Sequence, residues 1–173
     1  ECRAIVLAAQ GSSFCAGAKF NDPNESVSRD SGATMNPIYQ EALRNLFTSL
    51  RFLNSDRPLR SVALTSSLPA EGKSLTNVLL AKTIAEMGQR VLLVDADPQQ
   101  SALDWSGVRG EPSPFAIVAM AKPIIHKELP AVEKGFDHVI IDSPPSVHTL
   151  TRSIIGAADV VIVPVQPSPY DVW

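Results

Sequence analysis

The chain has 173 residues, of which 45% are apolar and 19% charged, and its formal charge is −3. That is the length of one domain, and the composition excludes a disordered tail, a collagen-like repeat and a strongly basic nucleic-acid module. Two cysteines, Cys2 and Cys15, are too few for a disulfide framework and read as reduced thiols in a cytosolic protein. There is no apolar run long enough to span a membrane and no signal-peptide pattern, and the start at Glu1 rather than Met reads as a fragment or an assembled sequence.

Residues 3–9 are apolar and predict a buried strand, followed by a small-residue loop from Gly11 to Gly17. Residues 21–36 are polar, lack periodicity and read as a linker. From Pro37 onward Ile38, Ala42, Leu43, Leu46, Leu50 and Phe52 recur at helical spacing, predicting a helix over 38–53. Strands and helices then alternate. Strands are predicted at 61–66, 90–94, 115–119, 138–141 and 159–164. Helices are predicted at 73–87, stopped by Gly88, at 99–106, at 123–134 with a break near Pro130, and at 148–157. Val91–Val94 and Val139–Ile141 are apolar on both faces, as strands covered by helices on both sides must be. The expected fold class is α/β: a doubly wound, mostly parallel sheet with helices on both faces.

The most informative stretch is Ser67-Leu68-Pro69-Ala70-Glu71-Gly72-Lys73-Ser74, which follows a predicted strand and opens a predicted helix. That context is the one a phosphate loop requires. Ser67 stands where the pattern has its first Gly. Backbone N–H groups around 70–74 can converge on one anion, with the helix N-terminus adding positive potential. Gly72 permits close approach of the backbone, Lys73 reaches the β- and γ-phosphates, and the Ser74 hydroxyl ligates Mg²⁺. Ser67, Ala70, Glu71, Gly72, Lys73, Ser74 and Leu75 form the candidate nucleotide-binding set.

Asp95 and Asp97 end one predicted strand and Asp142 another. A lone Asp after a strand is usually a helix cap, but three beside a phosphate loop form a site at the carboxyl ends of the strands. Lys73, Asp95 and Asp97 are the candidate catalytic residues, and Ser74, Asp95 and Asp142 the candidate Mg²⁺ set. His126, His138 and His148 lack metal-ligand spacing, and Trp105 and Trp173 read as packing residues. Arg44, Arg51, Arg57 and Arg60 read as a solvated basic helix face.

These residues carry family resemblances. Residues 38–97 resemble the cytoplasmic domain of bacterial protein-tyrosine kinases, through Glu41-Ala42-Leu43-Arg44, Thr65–Ser74 and Val91–Asp97. That resemblance implies Walker A at Lys73 and Ser74, Walker A′ at Asp95 and Asp97, and Walker B at Asp142. Ala70 stands where that family commonly has Gly, Leu75 where it has Thr, and Phe47 where its oligomerisation motif has Arg. Residues 97–173 look like a ParA-type partition ATPase, through Asp97-Pro98-Gln99, Ala102–Trp105, Ile140–Pro145 and Val163–Trp173. Both families belong to the ParA/MinD-like deviant-Walker superfamily. The signature lysine of the partition family, on which its homodimer depends, is Leu68 here. Its basic DNA-binding residues lie near a C-terminus that this sequence lacks. Residues 1–20 are similar to a piece of the crotonase (enoyl-coenzyme A hydratase) family, through Arg3–Leu7 and Phe14-Cys15-Ala16-Gly17-Ala18. Twenty residues cannot build the acyl pocket of that family, and their expected role is one added strand at an open sheet edge.

The expected organisation is a crotonase-like strand and loop at 1–20, a linker at 21–36 and a P-loop domain at 37–173. Three resemblances in one chain point to a chimeric sequence. The expected function is Mg²⁺-dependent ATP binding and hydrolysis in the cytoplasm, with ATP/ADP and Mg²⁺ as ligands, a homodimer as an open partner question, and neither DNA nor membrane as a partner. The alternatives are a chimeric scaffold with a vestigial phosphate site and a protein-tyrosine kinase. Against the kinase, only Tyr39 and Tyr170 are present, not a tyrosine cluster.

Overall fold

The computed structural model describes residues 3–8 by their backbone, and residues 37–53, 57–65, 72–108, 112–145 and 149–165. Eleven elements follow in the order β1 (Arg3–Ala8), α1 (Pro37–Leu53), β2 (Ser61–Leu64), α2 (Lys73–Glu86), β3 (Val91–Asp95), α3 (Ser101–Val108), β4 (Ala116–Ala119), α4 (Ile125–Val132), β5 (His138–Asp142), α5 (Thr149–Ala157) and β6 (Val160–Val165). The strands form one sheet in the order β1-β6-β2-β5-β3-β4. Every pairing between them is parallel.

Successive strand residues point to opposite faces, so each central strand contributes to two cores. Val62, Leu64, Leu93, Ile140 and Ile162 pack under α1, α2 and α3, with Phe47, Leu50, Val78, Leu80 and Ile84. Ala63, Leu92, Val94, Ile141 and Val161 pack on the other side, with Ile125 and Leu129 of α4 and Leu150 and Ile154 of α5. The result is three layers, α/β/α. The apolar runs at 91–94 and 139–141 are apolar on both faces because helices cover both.

Three departures from the local pattern have physical causes. The helix near 123–134 is not broken at Pro130; α4 contains it. Pro130 is the sixth of eight residues, so its missing N–H costs one helical hydrogen bond just before the helix ends. The helix predicted from 99 starts at Ser101. Before it, the Asp97 carboxylate accepts from Gln99 N at 2.9 Å, the Asp97 carbonyl accepts from Gln100 N at 2.9 Å, and Gln100 has φ 53°. That local turn competes with helix for the same backbone groups. The strand near 3–9 runs over Arg3–Ala8 and pairs along β6, from Arg3 opposite Val160 to Ala8 opposite Val165. The predicted loop at 11–17 and linker at 21–36 lie outside the described residues.

Candidate functional site

Strand order places the site. β2 lies between β5 and β6, while the chain leaves β2 for β3 on one side and β5 for β6 on the other. This is a topological switch point, and its crevice opens beyond the carboxyl end of β2. The stretch after β2 leads to Gly72, which caps α2 with φ 74° and ψ 17°. Glycine adopts that left-handed backbone without the Cβ clash that other residues meet. No side-chain oxygen caps the helix start, so the amides of the first turn are not taken by a capping side chain. Lys73 is the first residue of α2 and is buried. Ser74 follows it, half-buried.

Asp142 ends β5, in register with Leu64 of β2 on one side and Asp95 of β3 on the other. Its side chain is fully enclosed. Asn77 Nδ2 donates to its Oδ1 at 2.8 Å, and the Ser74 side chain lies close enough to favour the charged form of this carboxylate. Asp142 Oδ2 and Asn77 Oδ1 have no hydrogen-bond partner among the described residues. Burial pushes the Asp142 pKa up to about 6; the Ser74 side chain and the Asn77 hydrogen bond pull it down, while the charges of Asp95 and Asp97 add to the rise.

Asp95 is as buried as Asp142 but better satisfied. Its Oδ1 accepts from Asp97 N at 3.2 Å and its Oδ2 from Leu103 N at 2.9 Å. Burial raises its pKa and those backbone hydrogen bonds hold it down. The carboxylate thus ties the end of β3 to the first turn of α3. Asp97, also buried, spends one oxygen on Gln99 N. Ser143 extends the ledge: its N donates to Leu64 O at 3.2 Å and its Oγ lies 3.4 Å from Thr65 Oγ1.

The structure therefore brings Gly72, Lys73, Ser74, Asp95, Asp97 and Asp142 to one end of three neighbouring strands. Leu75 is half-buried in the first turn of α2. Ser67, Ala70 and Glu71 lie outside the described residues, as do His148 and Trp173. Trp105 stacks on Phe115 at a ring distance of 6.3 Å, a packing role. Asn77 is the site residue that sequence reasoning missed. The available signal was its spacing, three residues after Ser74 and so on the same face of α2. Among the described residues no three His, Cys, Asp or Glu side chains form a metal cage. The orphaned oxygen of Asp142 beside Ser74 fits a cation that takes its remaining ligands from phosphate and water, the habit of Mg²⁺.

Comparison with known proteins agrees with this geometry. A family model described as an AAA domain matches residues 108–172. The chromosome-partitioning ATPase Soj of Thermus thermophilus is 32% identical over 142 residues, covering 65% of this chain and 57% of that protein. Among solved structures, the BceF tyrosine kinase domain superposes with a TM-score of 0.51 at 27% identity, covering 71% of this chain and 63% of that one. The domain is a ParA/MinD-like P-loop fold. The P-loop fold also has a kinase resemblance in sequence: tyrosine-protein kinase YwqD of Bacillus subtilis is 46% identical over 60 residues, 35% of this chain and 25% of that protein. The chain spans little more than half the length of the partition-type relatives it matches. No helix among the described residues is long and apolar enough to cross a membrane.

Proposed function

We propose that this P-loop domain binds Mg²⁺–ATP in the cytoplasm and hydrolyses it by attack of a positioned water. The observation that carries the reading is the Ser74–Asp142 pair: a hydroxyl and a buried, incompletely satisfied carboxylate beside the start of α2. Lys73 and the first amides of α2 hold the phosphates. Ser74 and Asp142 hold Mg²⁺, with Asp95 reaching it through water because backbone amides already engage both of its oxygens. Bound Mg²⁺ neutralises charge on the phosphates. Asp97, or Asp95 beside it, orients the attacking water. Most of the catalysis in phosphoryl transfer is positioning and charge stabilisation, and this set supplies both.

The test is phosphate release from ATP by the purified chain with Mg²⁺. Lys73→Ala is expected to lower it by about a hundredfold or more, the scale of losing one charge-stabilising donor. A folded wild-type chain that releases no phosphate would falsify the reading. The kinase resemblance favours a second reading, transfer to tyrosine. Tyr39 on α1 is the exposed tyrosine among the described residues. Phosphotyrosine found by mass spectrometry after ATP incubation would establish it.

A further inference from the structure

A cleft of about 780 Å³ opens at the other end of the sheet, where β2, β3 and β5 begin. The described residues just before these strands, 57–60, 89–90 and 133–137, line it. Among the described residues its rim carries Arg51, Arg57, Arg60, Arg90 and Lys134 against Glu133 and Asp137. This is a local excess of positive charge in a chain whose formal charge is −3.

One of the two carboxylates is already committed. Arg90 grips Asp137 through Nη2 at 2.8 Å and Nε at 3.2 Å, and its backbone N donates to the same carboxylate at 2.8 Å. This fork clamps two of these three stretches together. It leaves Arg51, Arg57, Arg60 and Lys134 facing Glu133, and none of these four cations forms an ion pair among the described residues. Arg51 is not a loose side chain. It sits 5.9 Å over the Phe47 ring, and that ring meets His138 edge-on at 4.9 Å. His138 lies buried at the cleft, and its Nδ1 has no hydrogen-bond partner among the described residues. Gathering like charges around one concavity opposes folding unless an anion offsets it.

We propose that this cleft binds a small, multiply phosphorylated anion at a site separate from the phosphate loop. Its volume lies in the range of small-ligand pockets. Guanidinium forks match phosphate oxygens two at a time, and Arg51 at the end of α1 with Arg57 and Arg60 on the stretch before β2 supply three forks, which suits several phosphates rather than one. At Arg57, Pro58, Arg60 and Glu133 the cleft adjoins a smaller hollow that also holds the Asp159 carboxylate, and this acidic margin limits the anion-binding surface, which favours a compact ligand over an extended polymer. The two sites lie at opposite ends of β5, about 13 Å apart at the usual rise per strand residue. The ligand of one therefore does not occupy the other.

Inorganic tripolyphosphate is the probe, and backbone amide NMR shifts locate it. The expected result is shifts at residues 57–60, 89–90 and 133–138. Arg57→Ser with Arg60→Ser, both exposed, should weaken these shifts about tenfold or more in apparent affinity. Lys73→Ala should leave them unchanged, which separates this proposal from the reading of the phosphate loop. Shifts confined to residues 72–75 would overturn the proposal. So would an unaltered titration in the double serine variant. A short DNA duplex that perturbs the same amides at near-physiological salt, where tripolyphosphate does not, would also overturn it by assigning the cleft to a nucleic-acid backbone.

Discussion

Asn77 Nδ2 meets Asp142 Oδ1 at 2.8 Å across the seam between α2 and β5, and neither side chain is exposed to solvent. The bond joins the helix that opens with Lys73 to the strand that ends in the buried carboxylate. It fixes one oxygen of Asp142 and leaves the other buried without a hydrogen-bond partner among the described residues.

Replacing Asn77 by Ala removes that donor and leaves a buried carboxylate oxygen short of a partner. The cost is about 1–3 kcal/mol, more than the net worth of the bond, because the desolvation penalty remains. Urea denaturation measures it. Asn77→Asp should be worse, since it adds a second carboxylate against Asp142. A midpoint equal to wild type in Asn77→Ala would show that the bond contributes nothing.

Asp142 sets a pH dependence of stability in the ligand-free chain. Its pKa is raised by burial from the ordinary 3.8 to about 6. Asp95 is shifted in the same direction by the same cause. The folded state therefore binds more protons than the unfolded state between about pH 4 and pH 6, and stability falls as pH rises through that window. For Asp142 the full effect is about 3 kcal/mol. In Asp142→Asn this part of the decline should vanish, read as a flatter urea midpoint from pH 4 to pH 7. A wild-type contribution of the opposite slope would contradict the burial argument.

Asp137 works in the opposite sense. Hydrogen bonds from the Arg90 side chain and backbone hold its pKa down at about 2. Its stabilising contribution is present above the ordinary carboxylate range and is lost as pH falls from about 4 towards 2. Asp137→Asn should remove that acid sensitivity, and Arg90→Ala should remove only part of it, because the backbone N of residue 90 still donates to the carboxylate. Thermal melts at pH 2, 3 and 4 would show it. Both residues lie in the basic cleft, so the measurement also tests whether the fork holds its wall.

The edge strand β1 covers one side of β6. A chain lacking residues 1–8 leaves Val160–Val165 with an open row of backbone groups, interrupted only at Pro164, which has no N–H to offer. Open edges template pairing with other chains. Concentration-dependent self-association by light scattering is the expected outcome. A truncated chain that stays monomeric with an unchanged urea midpoint would show that β1 neither protects nor stabilises the sheet.

Local chemistry made much of this protein legible from its residues. The runs at Val91–Val94 and Val139–Ile141 announced strands covered on both faces, and the two packing clusters are what those runs required. The Gly72-Lys73-Ser74 step between a strand and a helix marked the phosphate loop, because those residue types suit that turn and little else. Pro130 misled, since its effect depends on where in a helix it falls. The Arg51–Arg60 series read as one solvated face because a linear pattern does not contain Arg90 or Lys134, which tertiary folding brings to the same cleft.

The sequence by itself determined the element types, their order and the P-loop motif at the start of α2, because helix and strand periods and turn residues act over a few neighbours. Only the tertiary structure decided that Asn77 supports Asp142, that Arg90 locks onto Asp137, and that β1 closes the edge beside β6. Those contacts join residues 65, 47 and about 160 positions apart. Parallel strands must be linked by long crossovers, so strand neighbours are chosen by how whole layers pack and not by any local signal.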